Sequence, residues 1–324
     1  MIGAMRADRP NARMVVEGRR ELEGVRRFSH EAMTTVFEAH AAHPDARYAA
    51  QAAQAAFDLV DRLERELSRF LPNSDISRIS QLGAGETTRI GASAMECLVI
   101  ARHMFDLTGG AFDVSIGTGL PSLELDPDDC VVRAASSGVQ IDLGGIGKGY
   151  AIDLMAELLE DWGLNAALVH GGFSSVLALE APPDLDGWPL TLSDPGNPSR
   201  VLARLTARQT ALGASGRRKG DHILDPRTGQ PARGRGAAWV AVPRPDTTRT
   251  AARTDASPRI APAAVADALT TAFLLLSPVD IQTLCERSPG VEAWILQEPN
   301  DSGDAEPRLL HFGGPRPGYT SASL

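Results

Sequence analysis

Ile141-Asp142-Leu143-Gly144-Gly145-Ile146-Gly147-Lys148-Gly149-Tyr150-Ala151-Ile152-Asp153 is the stretch around which the rest of the chain is read. Its apolar approach, Val139 to Leu143, has the character of a strand. A glycine-dense turn with one lysine follows, and an amphipathic helix runs from Gly149 to Trp162, where Gly163 stops it. Glycines let backbone pass close to a ligand and supply amide N–H groups with no side chain in the way. A helix N-terminus adds partial positive charge, and Lys148 adds a full one. The stretch therefore suits a phosphorylated ligand. It is neither G-x-x-x-x-G-K-[ST], because Gly149 follows the lysine, nor G-x-G-x-x-G. A turn that only packs a helix against a strand accounts for the local pattern equally well.

Working outward, the spacing of apolar residues predicts helices over Asp45–Phe70, ended by Leu71-Pro72-Asn73-Ser74, and over Ala92–Leu107, closed by Gly109-Gly110. Phe28–Ala39 alternates weakly and reads as a strand or an entry loop. Strands are expected at Ala166–Val169, Val176–Leu179 and Ala237–Val242, and a helix at Pro262–Leu276. Val291–Leu296 and Arg308–Phe312 read as a hairpin around the polar turn Pro299–Glu306. Residues 1–25 are expected to form a flexible arm, 26–316 one compact α+β domain, and 317–324 a tail. Pro243–Ile260, rich in Pro, Thr, Arg, Ala, Asp and Ser without periodicity, reads as a mobile surface insertion.

Composition limits the function. The chain has 324 residues, 43% hydrophobic and 23% charged, as in ordinary globular proteins. Its net charge of −9 argues against a nucleic-acid surface. The 3 cysteines are dispersed and no C-x-x-C occurs, so neither a zinc site nor a disulfide framework is suggested. No apolar run reaches the length of a membrane span. Met1–Arg20 lacks the apolar core of a secretory signal. A cytoplasmic location is thus the expectation as written, and an extracytoplasmic one if a leader precedes this sequence.

Three further constellations stand out. Gly109-Gly110-Ala111-Phe112-Asp113 follows a helix, and a helix stop with a solvated aspartate explains it alone. Asp221-His222-Ile223-Leu224-Asp225-Pro226-Arg227-Thr228-Gly229 carries a histidine into a tight turn. Such a histidine suits general-base work, although a structural histidine at a strand end is the commoner case. In Ala266-Asp267-Ala268-Leu269-Thr270-Thr271, Asp267 and Thr271 stand at i and i+4 on one helix face. With a backbone carbonyl from elsewhere they form a hard-oxygen set suited to Mg²⁺. In isolation the pair reads as an aspartate favoured by the helix dipole beside an ordinary threonine.

The order in which these elements occur changes their weight. From about Phe28 to Phe312 the chain resembles the ApbE family, the FAD:protein FMN transferases. The resemblance rests on Met33-Thr34-Thr35, Ser68-Arg69-Phe70 with Ser74-Asp75-Ile76-Ser77-Arg78, Gly110-Ala111-Phe112-Asp113, the stretch Asp142–Ala151, His222–Gly229 and Ala266–Thr271. It implies a single α+β domain with mixed, largely antiparallel sheets flanked by helices. It also implies cleavage of the FAD pyrophosphate with Mg²⁺, transfer of FMN to a threonine hydroxyl of an acceptor flavoprotein, and release of AMP. Hydrolysis of FAD to FMN and AMP, or FAD binding without turnover, are the alternatives.

The resemblance also assigns residues. Met33, Phe70, Ala111, Phe112 and Asp113 would contact the flavin and adenine, Asp142 and Lys148 the polar parts of FAD, and Leu224 the cofactor beside His222, the implied base. Gly145 would offer its carbonyl to Mg²⁺, with Asp267 and Thr271 as side-chain ligands. Acceptors of the family carry a Ser/Thr-Gly-Ala-Thr-like tract, which this chain lacks, so the acceptor is a separate protein. The chain departs from the family pattern at Thr34, where a glycine is usual. Leu120–Ser136 is short, which would open a wall of the cleft. Phe173-Ser174-Ser175 stands where Asp or Asn usually follows Gly-Gly, and the Pro243–Ile260 segment has no counterpart.

Overall fold

The computed structural model describes the backbone of residues 13–16 and residues 22, 24–216, 223–245, 261–299 and 306–314 in full. In chain order the strands are β1 (Arg13–Val16), β2 (Val25–Ala32), β3 (Thr35–Ala42), β4 (Thr87–Arg89), β5 (Leu123–Asp126), β6 (Val131–Ala134), β7 (Ala167–Gly171), β8 (Ser175–Ala178), β9 (Trp188–Ser193), β10 (Val201–Ala207), β11 (Thr210–Gly216), β12 (Arg235–Pro243), β13 (Glu292–Gln297) and β14 (Arg308–Phe312). The helices are α1 (Ala46–Leu67), α2 (Asp75–Ser80), α3 (Ala92–Leu107), α4 (Gly147–Asp161), α5 (Pro262–Phe273) and α6 (Pro278–Arg287).

An 8-stranded sheet, ordered β14-β13-β12-β11-β8-β7-β3-β2, is the centre of the molecule. One face carries α1, α3, α4 and α5, and the core between them includes Phe37, Ala39, Phe57, Leu98, Met104, Tyr150, Val240 and Phe273. The other face meets a 3-stranded sheet, β1-β9-β10, over a second core around Trp188, Leu190, Leu212, Trp239 and Trp294. A further 3-stranded sheet, β4-β6-β5, completes the α+β architecture. Every strand pairing among the described residues is antiparallel.

Local chemistry explains the helix boundaries. Asp45 caps α1 through the amides of Arg47 and Tyr48, and Ser74 caps α2 through Ser77. Gly109, Gly110 and Gly163 take positive φ where α3 and α4 stop. Packing explains two more glycines. A side chain on Gly149 would meet the Ala263 carbonyl at 2.2 Å, and one on Gly213 the Ala266 carbonyl at 2.6 Å. Both let α5 sit close, against α4 on one side and β11 on the other.

Three expectations change, and the Leu120–Ser136 region takes a definite form. Val139–Leu143 is not a strand. Val139, Ile141 and Leu143 are buried alternately, but the Ile141 amide bonds the Ser80 hydroxyl and the Asp142 amide bonds the Val114 carbonyl. Loops rather than a ladder satisfy this extended backbone. The stretch read as an N-terminal arm contributes β1, which pairs with β9. Leu120–Ser136 forms the β5–β6 hairpin, and none of these residues lines the cavity described below. The segment read as an insertion starts inside the fold: Pro243 ends β12, and Arg244 is part-buried on Glu160 of α4 through two bonds of 2.5 Å. Residues 246–260, 300–305 and 317–324 lie outside the described residues.

Candidate active site

A cavity of about 620 Å³ opens between the helix-bearing face of the large sheet and the loops around it. Its lining includes Met33, Phe70, Ala111, Phe112, Asp113, Asp142, Gly145, Lys148, Leu224, Asp267 and Thr271. The candidate cofactor and metal residues of the sequence, more than 230 positions apart at the extremes, thus face one space. His222, the candidate base, lies outside the described residues, while Ile223 and Leu224 line the cavity.

Asp267 is the most constrained group in the cavity. Its side chain is 5% exposed. The Gly149 amide donates to Oδ2 at 2.9 Å, the Ser175 hydroxyl lies 2.7 and 2.8 Å from the two oxygens, and Lys148 Nζ stands 3.5 Å from Oδ2. Burial pushes this carboxyl above its ordinary range, against the lowering pull of Lys148, Ser175 and the Gly149 amide. Thr271 donates to the Asp267 carbonyl at 3.4 Å, one turn along α5. A side chain on Gly145 would meet Phe112 at 3.1 Å and the Thr271 hydroxyl at 3.5 Å, so this position of the turn lies directly against the α5 donors. The Asp267 carboxylate and the Thr271 hydroxyl are hard-oxygen groups one turn apart, with the Gly145 turn against them.

Two helices hold these groups in place by capping each other. Ile146 gives α4 no side-chain cap, but Asp267 of α5 accepts from Gly149 in the first turn of α4. Reciprocally, Asp153 of α4 accepts from the Ala263 and Ala264 amides at the start of α5, both at 2.9 Å. Helix-start amides need acceptors when buried, and here each helix supplies them to the other. The position of Asp267 relative to Lys148 is therefore fixed by two buried carboxylates.

Other predicted residues are engaged in the walls. Asp142 Oδ1 accepts from the Gly144 amide at 2.9 Å, and Oδ2 pairs with Arg69 at 3.0 Å. Arg69 in turn lies 4.9 Å over the Phe70 ring, which is 76% exposed at the mouth. Asp113 accepts from the Ser115 amide and hydroxyl, both at 2.7 Å, and from the Gly117 amide at 2.9 Å, so it organises its own loop. Asp225-Pro226-Arg227-Thr228-Gly229 is the tight turn expected, closed by the Gly229 amide on the Asp225 carbonyl at 2.7 Å. Arg227 forks onto Asp225 and lowers its pKa.

Sequence reasoning missed Ser175, Arg69 and Asp153 as site-shaping residues. Ser175 was marked only as a departure from Asp or Asn, and its role depends on β8 meeting α5. Asp153 closes the opening stretch, two residues after Ala151, and its role depends on α4 meeting the start of α5. Thr34 now has a physical cost. With φ of 58°, after Met33 at 47°, it closes the β2–β3 turn in the left-handed region that a glycine adopts freely and a β-branched residue resists.

An antiparallel α+β frame thus brings a glycine–lysine turn and hard-oxygen side chains into one cavity, the arrangement of a small-molecule site. The chain belongs to the ApbE family, whose sequence pattern matches residues 33–129 and 118–295. It is similar to the FAD:protein FMN transferase of Vibrio cholerae, with 22% identity over 55% of this chain and 64% of that protein. It is also similar to the FAD:protein FMN transferase of Treponema pallidum, with 25% identity over 74% and 75%. The chain thus spans somewhat under two thirds of the Vibrio protein and three quarters of the Treponema one. Among solved structures, the flavin transferase ApbE from Vibrio cholerae superposes with a TM-score of 0.72 at 17% identity, covering 93% of this chain and 97% of that one. The Pseudomonas stutzeri flavinyl transferase ApbE in its apo form gives 0.70 at 21%, covering 92% and 94%. At these identities the structures establish the shared fold.

Proposed function

We propose that this chain is a FAD:protein FMN transferase that moves FMN from FAD to a threonine hydroxyl of a separate acceptor protein. The observation that carries the reading is the corner made by Asp267, Thr271 and Gly145, set beside Lys148 in a cavity of about 620 Å³. That volume suits a cofactor-sized ligand. The donor set fits a hard divalent cation: a buried carboxylate whose pKa burial raises, a hydroxyl, and a glycine against which a side chain would crowd. Mg²⁺ bound there would neutralise charge that builds on the pyrophosphate as it breaks.

The chain's own residues do the rest. Asp267, held by Ser175 and Gly149, positions the cation corner and keeps Lys148 close. Lys148 supplies a full positive charge to the phosphate region, and the start of α4 a partial one. Phe70, exposed at the mouth with Arg69 over its ring, offers a face on which an aromatic ring system can stack. His222, assigned by family resemblance, takes the proton of the acceptor hydroxyl, which is a poor nucleophile without a base. Because such transfers depend on positioning and charge, few residues need form bonds with the substrate.

The test is incubation of the purified protein with FAD, Mg²⁺ and a domain carrying a Ser/Thr-Gly-Ala-Thr tract. Flavin fluorescence that stays on the acceptor after denaturation supports transfer. AMP and FMN without labelled acceptor mean hydrolysis, and bound but intact FAD means a binding protein. His222→Ala is expected to lower turnover far more than FAD affinity. Equal loss of both would remove the base assignment.

A further inference from the structure

We infer that Glu38, His40 and His170 form a second metal site, separate from the cavity and suited to Zn²⁺. Glu38 and His170 face each other directly across β3 and β7, and His40 follows two residues on along β3. Phe37, Ala39 and Ala41 point into the helix-side core, so the alternation of the strand places Glu38 and His40 on the opposite face. None of the three lines the flavin-type cavity.

The donor atoms already converge. Glu38 Oε2 lies 3.1 Å from Nε2 of His40 and 3.1 Å from Nε2 of His170, and each of the three residues offers a donor atom within 4.8 Å of the other two. Ligands about 2.1 Å from a tetrahedral zinc stand roughly 3.4 Å apart, so closure needs only small adjustments. Two imidazoles with one carboxylate are a donor set for zinc and its borderline neighbours, whereas Mg²⁺ prefers oxygen throughout.

The surroundings orient the ligands. Arg27 holds the other carboxylate oxygen, Oε1, at 2.5 Å from outside, leaving Oε2 turned towards the imidazoles. This is the outer support that ligating carboxylates usually have. The His170 ring is stacked between Phe173, at 4.9 Å, and His40, at 5.7 Å. Its Nδ1 is buried with no hydrogen-bond partner among the described residues, so the ring has stacking but no outer hydrogen bond on the side away from Glu38. Lacking that one outer contact weakens zinc sites by about 10- to 100-fold, so binding is expected to be weaker by that factor than at a fully supported site. The His40 side chain is 15% exposed and gives the ion a way in, with a position left for water.

The probes are Zn²⁺ and Co²⁺ themselves, added to the full chain without a histidine tag in saturating Mg²⁺. The expected result is one equivalent of Zn²⁺ retained per chain, and visible tetrahedral bands when Co²⁺ replaces it. Asp267→Ala should leave both unchanged. His40→Ala and Glu38→Gln should each weaken Zn²⁺ by at least about tenfold and abolish the Co²⁺ bands. His170 is buried, so His170→Ala risks the fold, and the half-buried His40 carries the test, with circular dichroism confirming the folded state. No retained Zn²⁺ in wild type, or equal Zn²⁺ affinity in His40→Ala, overturns the site.

Discussion

Asp267 and Glu38 are both buried carboxylates, 5% and 6% exposed, and they sit against opposite faces of the same sheet. Their surroundings push them in opposite directions. Around Glu38, two imidazoles and Arg27 outweigh the cost of burial and hold the carboxyl far below its ordinary range. Around Asp267, a hydroxyl, one amide and a lysine at 3.5 Å do not, and burial raises it. The charge of Glu38 is matched by neighbours that include its own proposed co-ligands, His40 and His170. A buried charge that is only partly matched favours a further positive partner, which is the electrostatic case for a cation beside Asp267 rather than beside any other acid of the cavity.

The largest effect that would break this comparison is on turnover. Asp267→Asn keeps the shape and removes the charge. Mg²⁺-dependent FMN transfer is expected to fall at least about 100-fold, while Mg²⁺ ceases to raise the melting temperature. Stability without Mg²⁺ at pH 7 should stay level or rise, because a disfavoured buried charge is gone. Turnover within a few-fold of wild type would sink the assignment of Asp267. Glu38→Gln should show the reverse: transfer retained, and stability lowered by about 2–3 kcal/mol through charged hydrogen bonds lost to Arg27 and the imidazoles. Chemical denaturation reads it.

Next in size is Asp153→Ala. It leaves the Ala263 and Ala264 amides of α5 without their acceptor, at a cost of about 3 kcal/mol. Because α5 carries Asp267, the variant should also need more Mg²⁺ for half-maximal turnover, a shift that a purely structural loss would not produce in protein shown to be folded.

The pH dependence sharpens the same contrast, and its signs are opposite. Glu38 has a depressed pKa, so its stabilisation is complete above its ordinary value of 4.5 and fades as pH falls towards the folded-state value. Asp267 has a raised pKa, so the folded state holds its proton more tightly. Its contribution declines as pH rises from the ordinary value of 3.8 through the folded one. In chelator, melting temperatures measured across this range should fall less steeply on acidification for Glu38→Gln than for wild type. Asp267→Asn should gain relative to wild type as pH rises, and Mg²⁺ should close that gap. Parallel curves for all three proteins would mean that neither carboxylate is perturbed as described.

How far the sequence reveals these two sites differs for physical reasons. The cavity residues stand in local patterns that backbone chemistry requires: glycines where helices pack, Asp267 and Thr271 one turn apart, a Pro-containing turn after Ile223-Leu224. The helices α1, α3, α4 and α5 were legible from periodicity and stops. What escaped depends on contacts between distant strands. β9 and β10 flank the turn signal Asp194-Pro195-Gly196-Asn197-Pro198, but their pairing with the distant β1 is not written in either strand, and Val139–Leu143 mimics a strand because its alternate burial does not reveal which partner takes its hydrogen bonds. The Glu38–His170 pair, 132 positions apart, exists only through the register of β3 on β7. A search for cysteine spacing could not find it.

Thr34 tests the smallest term, the cost of a wall of the cavity built from an unsuited residue. Its left-handed backbone costs an L-residue about 1–2 kcal/mol, and a glycine would remove that strain. The glycine's greater freedom in the unfolded chain returns part of the gain. Thr34→Gly is therefore expected to stabilise the protein by less than about 1 kcal/mol, read by denaturant midpoint at unchanged slope. FAD affinity supplies the second readout. If Thr34 only closes the β2–β3 turn, affinity should hold or improve as the wall gains room. If affinity falls while stability rises, the threonine side chain itself contacts the ligand, and the cavity differs in kind, not only in fit, from one with glycine at this turn.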